Sequence, residues 1–247
     1  VYMSSGSFTM YDGEISGNTS TKYGGGVAAI YGSSFVMKGG TISGNTAAQN
    51  GGGVYVSGKL ELSGDAVITK NTATSGDGGG VYYNTYSSYK LTISDTAQIA
   101  ENSAGGNGGG VYYANSNDFA YKYPMTVSGS AEIAENNAGS NGGGIYVSAG
   151  DLNLSGNATI TQNTATTKGG GVYYIGGSAK MTVSGNVQII GNKDTGSKAN
   201  NVYVPNSTNT DGCYSFTIGE GGLSNDAKIG LTYDGTLELG KCITFAL

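Results

Sequence analysis

Residues 51–71 decide the fold. They run Gly51-Gly52-Gly53-Val54-Tyr55-Val56, then Leu60-Glu61-Leu62-Ser63-Gly64, then Ile68-Thr69-Lys70-Asn71. Short apolar alternations closed by Gly, Ser or Asn are strand signals bounded by turn residues. The pattern returns along the chain. Triple glycines begin at Gly24, Gly51, Gly78, Gly108, Gly142 and Gly169, and Val27, Val54, Val81, Val111, Ile145 and Val172 follow them. A further copy carries Ala199-Asn200-Asn201 in the glycine slot and Val202 behind it. The second stretch holds apolar pairs two apart, from Phe8/Met10 and Phe35/Met37 to Leu152/Leu154 and Met181/Val183. The third centres on Ile15, Ile42, Ile68, Ile99, Ile133, Ile160 and Ile189, each with an Asn three residues later, Asn18 to Asn192.

Three strands in a repeat of about 27 residues leave no room for a helix. Each repeat is therefore read as one coil of a β-solenoid, which buries its apolar face only by stacking on its neighbours. With strands ~4.8 Å apart, about eight coils make a rod roughly 40 Å long. The Asn column is expected to satisfy turn backbone and to hydrogen-bond from coil to coil. The triple glycines are expected to be tight corners at positive φ. They are not phosphate loops, because a strand follows them and not a helix N-terminus.

Composition fits a stack and excludes much chemistry. Of 247 residues, 46 are Gly and 19 Tyr, only 12% are charged, the net charge is −5, and there is no Trp or His. All twelve basic residues are Lys. Identical charges stacked at about 5 Å would repel, whereas Ser, Thr, Asn and Tyr stack without that cost. Lacking His, the chain has no imidazole base and no His-based metal site; lacking Arg, it has no guanidinium clamp. No metal or cofactor is expected. An acidic chain with scattered Lys does not fit nucleic acid, and no apolar run reaches the length of a membrane span.

Residues 1–204 are assigned to the repeat array and 205–247 to a last coil and C-terminal cap. Val1-Tyr2-Met3 matches Val54-Tyr55-Val56, so the chain is expected to be a fragment of a longer array, with an open edge that invites end-to-end self-association. Alternation at Phe216/Ile218, Ile229/Leu231 and Leu237/Leu239 marks the final segment, which also holds both cysteines, Cys213 and Cys242. A disulfide between them would close a loop of about 30 residues and contribute about 3–4 kcal/mol in the chain-entropy model. Two buried free thiols are the alternative, and the choice turns on an oxidising, extracellular location.

Gly51-Gly52-Gly53-Val54-Tyr55-Val56, Leu60-Glu61-Leu62-Ser63-Gly64 and Ile42-Ser43-Gly44-Asn45-Thr46 resemble the glycine-rich repeats of right-handed parallel β-helix proteins of the pectate-lyase-like superfamily. More narrowly they are similar to adhesin-like surface proteins of gut bacteria and, more distantly, to the polymorphic membrane proteins of chlamydiae. The chlamydial pattern is closer to Gly-Gly-Ala-Ile with Phe-x-x-Asn, where this chain has Gly-Gly-Gly-Val and Ile-x-x-Asn. The resemblance covers residues 1 to about 204 and implies the fold more strongly than any function. It implies a secreted or surface-anchored bacterial protein.

Carbohydrate-active enzymes of this superfamily are the catalytic alternative. The resemblance implies that they use Arg with acid-bound calcium, or carboxylates supported by His, Arg or Trp, and those three residue types are absent here. Glu101 and Glu135 share one slot of adjacent coils, about 5 Å apart, near the spacing of a retaining glycosidase pair. A convex solenoid face offers no cleft to desolvate them, so a non-catalytic protein is expected.

Binding is expected on aromatic residues. Behind each triple glycine the inward aliphatic is followed by an outward position holding Tyr2, Ala28, Tyr55, Tyr82, Tyr112, Tyr146, Tyr173 and Tyr203. This predicts a tyrosine ladder; alternation alone leaves open whether it faces out or in. From the aliphatic to the next strand takes 6 residues at Val54 but 10 at Val81 and 14 at Val111. The two insertions, Asn84 to Lys90 and Ala114 to Pro124, are expected on one side, where solenoid insertions often bind. They carry Tyr86, Tyr89, Phe119, Tyr121 and Tyr123, which with Tyr82 and Tyr112 form the candidate site. Such rings stack on sugars or anchor a protein; alternatively they fold down as a satellite cluster. The ligand is expected to be a host or neighbouring-cell glycan or protein. A purely structural stalk is the alternative.

Overall fold

A computed structural model describes residues 1–115, 123–175, 179–196, 200–204 and 216–233, with side chains up to residue 230. Every described strand pairing is parallel and joins one coil to the next, giving four sheets of nine, eight, eight and seven strands among the described residues. The coil that begins at Val54 shows the plan: Val54–Val56 in the first sheet, Leu60–Leu62 in the second, Val67–Thr69 in the third and Thr72–Ala73 in the fourth. Like stacks on like. Val54 pairs with Val27 and Val81, Leu60 with Phe35 and Leu91, and Ile68 with Ile42 and Ile99. The strands Phe216–Leu223, Lys228–Ile229 and Leu231–Tyr233 extend three of these sheets by one strand each.

Three strands per coil were expected, and there are four. The fourth follows the ladder Asn and is two residues long, as in Thr46–Ala47, Ser103–Ala104 and Thr164–Ala165. Its inward residue is a buried alanine at 47, 73, 104, 138 and 165. Two residues show no period, and Ala gives no apolar signal. Only the pairing of each coil with the next reveals the strand.

One continuous core fills the solenoid. The aliphatic columns at 27, 54, 81, 111, 145 and 172 are fully buried, as are the isoleucines from Ile42 to Ile189. At about 25 cal/mol per Å² of apolar surface removed from water, each such side chain contributes about 1.5–3 kcal/mol.

The glycine corner differs from expectation. Only the first glycine of each triplet has positive φ, 71° at Gly51. The other two are small for a different reason. A Cβ on Gly52 would run into the carbonyl of Gly79 in the next coil and the Thr72 backbone; one on Gly53 would lie 2.8 Å from the Gly80 oxygen and 3.0 Å from the Asn71 amide. The corner thus lets coils approach closely enough for Gly52 and Gly53 to donate N–H bonds to Gly78 and Gly79, both at 3.1 Å.

Beside it runs the asparagine ladder. The backbone N–H and Nδ2 of Asn71 both donate to Asn102 Oδ1 at 3.0 Å, and Nδ2 also donates to the Ile42 carbonyl at 2.9 Å. The pattern repeats from Asn18 through Asn45, Asn71, Asn102, Asn136 and Asn163 to Asn192. Its last rung is Asn201, whose Oδ1 accepts both Asn192 donors at 2.9 and 3.1 Å. Asn201 stands in the third-glycine slot, so loss of the triplet there supplies the ladder's terminal acceptor.

Candidate functional site

The tyrosine ladder faces outward and begins one residue type away from expectation. Ala28 contributes no ring; Tyr23, just before the first triple glycine, stacks on Tyr55 at 4.9 Å. Tyr55, Tyr82, Tyr112, Tyr146, Tyr173 and Tyr203 continue at ring spacings of 5.1, 4.7, 5.4, 5.2 and 5.1 Å. Tyr2 lies outside this stack of rings, in register with Ala28 and 69% exposed. Burial, followed by the neighbouring phenols, pushes Tyr146 up to about 12; burial also lifts Tyr82 to about 12, against the Asn84 hydrogen bond. Tyr82 and Tyr112 each have both faces covered by neighbouring rings and offer a ligand only their edges.

A second set of tyrosines points inward. Tyr83, Tyr113 and Tyr174 are fully buried in the slot that other coils fill with Ala29, Val56 and Val147. Tyr83 stacks on Tyr113 at 5.6 Å. The Tyr113 hydroxyl donates to the Tyr123 carbonyl at 3.1 Å and that of Tyr174 to the Gly150 carbonyl at 3.4 Å. The insertions after Val81 and Val111 thus occur in coils whose inward residue is a large phenol, and the Val111 insertion is tied to that phenol at Tyr123. Phe119 and Tyr121 lie outside the described residues, as do Asp118, Lys122, Cys213 and Cys242.

The insertion after Val81 builds a site. It reaches past the short connection of the Val54 coil to the Val27 coil, where the Tyr89 hydroxyl lies 2.8 Å from the position a Cβ on Gly32 would take. Thr85 is buried, and its Oγ1 accepts the Ser87 N–H at 3.2 Å, fixing the turn that presents Tyr86. Facing it is Tyr31. Tyr31 and Gly32 have φ of 53° and 78°, and Ser33 N–H donates to the Ile30 carbonyl at 3.1 Å, a tight turn with two left-handed central residues. Gly or Asn suits such a position; a bulky aromatic there costs free energy. Tyr31 is nevertheless 81% exposed, so packing does not repay that cost.

Tyr31, Tyr55, Ser57, Asn84, Tyr86 and Tyr89 line a groove of about 420 Å³. Tyr86 is 73% exposed and Tyr89 36%. At the groove wall the Asn84 Nδ2 donates to the Tyr82 hydroxyl at 3.4 Å, while its Oδ1 is buried without a hydrogen-bond partner. A second recess of about 380 Å³ shares Gly32 and Tyr89 and adds Ser34, Lys59, Ser88 and Lys90. The sequence placed Tyr86 and Tyr89 in the site but missed Tyr31. Its coil has no long insertion, and the one local signal is the Tyr-Gly pair at a turn.

The acidic residues lie elsewhere. Asp65 accepts from Thr96 Oγ1 at 2.7 Å, Asp95 from Gly64 N–H at 3.0 Å and Asp77 from Asn107 N–H at 2.6 Å, all links between neighbouring coils. Glu101 and Glu135 are exposed, both at φ 56°, in a turn slot that other coils fill with Gly17, Gly44 and Gly191. Lys70 Nζ stands 3.7 Å from Glu101. Neither glutamate lines the groove. Among the described residues no cluster of three or more His, Cys, Asp or Glu is placed to hold a metal ion, and no helix is long and apolar enough to cross a membrane.

Fold and site together define a parallel β-solenoid carrying an aromatic groove on one face. The family model described as "right handed beta helix region" matches residues 1–188, and the chain belongs to that family. No curated protein and no solved structure matches the chain.

Proposed function

We propose that this chain is a non-catalytic, extracellular module of a bacterial surface or secreted protein that binds a glycan in the groove of Tyr31, Tyr55, Tyr86 and Tyr89. One observation carries the proposal: Tyr31 occupies a strained left-handed turn position while exposing most of its ring. Lys70, Glu101 and Glu135 also hold positive φ in exposed turns, but Tyr31 alone among these brings a bulky ring to the groove lined by Tyr86 and Tyr89, and that pairing of strain with position supports a binding role. The exposed Tyr31 ring can stack on the C–H face of a sugar ring, while Tyr55, stacked between Tyr23 and Tyr82, offers its edge to the groove. The groove volume lies in the range of small-ligand sites. The ladder and the asparagine column make the module rigid, and the groove is its contact point.

Glycan-array binding of the native chain and of the Tyr86→Ser, Tyr89→Ser double variant tests this. Native binding to a restricted set of oligosaccharides, lost in the variant at unchanged urea midpoint, is the expected result. Unchanged binding by the variant removes the groove as the site. Silence of the native chain across the array favours the stalk alternative, and release of shortened product that fails in Glu101→Gln favours the enzyme.

A further inference from the structure

We infer, resting on the glycan-binding assignment, that Tyr83 is a positioning residue of the groove: when a sugar occupies it, the Tyr83 hydroxyl donates to the Tyr89 carbonyl and draws the segment from Ser87 to Lys90 against the core. Tyr83 is fully buried, and its hydroxyl makes no hydrogen bond. A buried donor without an acceptor is costly, and folded chains hold few of them. Burial, followed by the Tyr113 and Tyr89 phenols, pushes its pKa up, so it remains a donor at neutral pH.

The other inward phenols show where its acceptor lies. The Tyr113 hydroxyl donates to the Tyr123 carbonyl at 3.1 Å and that of Tyr174 to the Gly150 carbonyl at 3.4 Å. Both acceptors stand two residues before a strand of the second sheet, Met125–Val127 and Leu152–Leu154. In the coil of Tyr83 that strand is Leu91–Ile93, in register with Met125–Val127, so the same place belongs to Tyr89. Tyr83 is likewise in register with Tyr113 and stacked on it. The Tyr123 carbonyl also accepts from Asn115 Nδ2 at 3.3 Å. Thr85 is in register with Asn115, but its Oγ1 takes the Ser87 N–H instead. The segment is thus pinned at Ser87 and at the Lys90 carbonyl, which accepts the Leu60 N–H at 3.2 Å. Tyr89, between these pins, lacks the tie that Tyr123 receives from Tyr113. Its side chain lines both the groove and the adjoining recess and reaches Gly32, so an inward shift of its backbone resets the wall that a ligand meets. A sugar that contacts Tyr89 better in the shifted position favours that position.

The test is Tyr83→Phe, which keeps the ring that stacks on Tyr113 and removes only the hydroxyl. Its affinity for an oligosaccharide that the native chain selects from a glycan array is expected to fall about fivefold, the size of one net hydrogen bond. Its urea midpoint without sugar is expected to equal or exceed the native one, because the lost hydroxyl had no partner. Tyr113→Phe supplies the contrast: it removes a bond already made, and its midpoint without sugar is expected to fall. With carbon-13 at the Tyr89 carbonyl, that resonance is expected to move on sugar binding in the native chain and to stay in place in Tyr83→Phe. A lowered midpoint without sugar in Tyr83→Phe, native affinity in that variant, or a carbonyl resonance that moves equally in both chains overturns the inference and leaves the aromatic groove standing. Failure of the native chain to bind any oligosaccharide overturns both.

Discussion

At the scale of single residues the coil is held by positions where a side chain is forbidden or forced. Gly51 needs positive φ, whereas Gly52 needs empty space toward the next coil. Gly52→Ala is therefore expected to cost about 1–3 kcal/mol by pushing two coils apart, read as a lower urea midpoint. Lys70 is the converse. It holds φ 57° where other coils have Gly, and its contact with Glu101 is exposed and contributes little. Lys70→Gly relieves about 1–2 kcal/mol of left-handed strain and gives back about 0.5–1 in chain entropy, so a net gain of roughly 0.5–1 kcal/mol is expected in the same titration. The triplet was legible as a corner because it recurs. Why its second and third members are Gly was not, since the obstructing atoms belong to another coil. Tyr31 was illegible for a related reason: its significance lies in a backbone angle and in an insertion two coils away.

At the scale of elements, columns and not strands are the units of stability. The asparagine ladder passes each amide's donors to the next rung, and removing one rung strands its neighbours in a dry interior. Asn102→Ala leaves the Asn71 donors and the Ile68 carbonyl without their partner. At about 1–3 kcal/mol for each stranded buried group, a loss of roughly 3 kcal/mol or more is expected by chemical denaturation. Asn18→Ala, at an exposed rung, is expected to cost about 1 kcal/mol or less. The Ile-x-x-Asn spacing made this column plain in the sequence, and the insertions were plain from their lengths. Their destinations were not: only the tertiary path shows that residues 84–90 lean over earlier coils while Tyr82 and Tyr112 remain in the ladder. The two-residue fourth sheet stayed hidden because no periodicity exists in a Thr-Ala pair.

At the scale of the molecule, stacked phenols make stability depend on alkali. Burial raises the folded pKa of Tyr82 and Tyr146 to about 12, above the value near 10 of an unfolded chain. Above pH 10 the unfolded state releases phenolic protons that the folded state keeps, so stability falls as pH rises. The contribution is complete below pH 10 and is lost through about pH 12. The midpoint of urea unfolding is expected to hold level from neutral pH to about 10 and then decline, in step with phenolate absorbance that no Trp obscures. A midpoint insensitive to pH across that window would contradict the packed ladder.

The solenoid supplies a rigid frame, and the groove at the Val81 insertion is the proposed contact with a ligand. Saturation-transfer NMR with an oligosaccharide selected from the array tests that contact most directly. Irradiation of the tyrosine ring protons is expected to transfer to the C–H protons on one face of the sugar, and the transfer is expected to vanish in the Tyr31→Ala, Tyr86→Ser, Tyr89→Ser variant. Transfer of equal strength in that variant, or none in the native chain, would contradict the account.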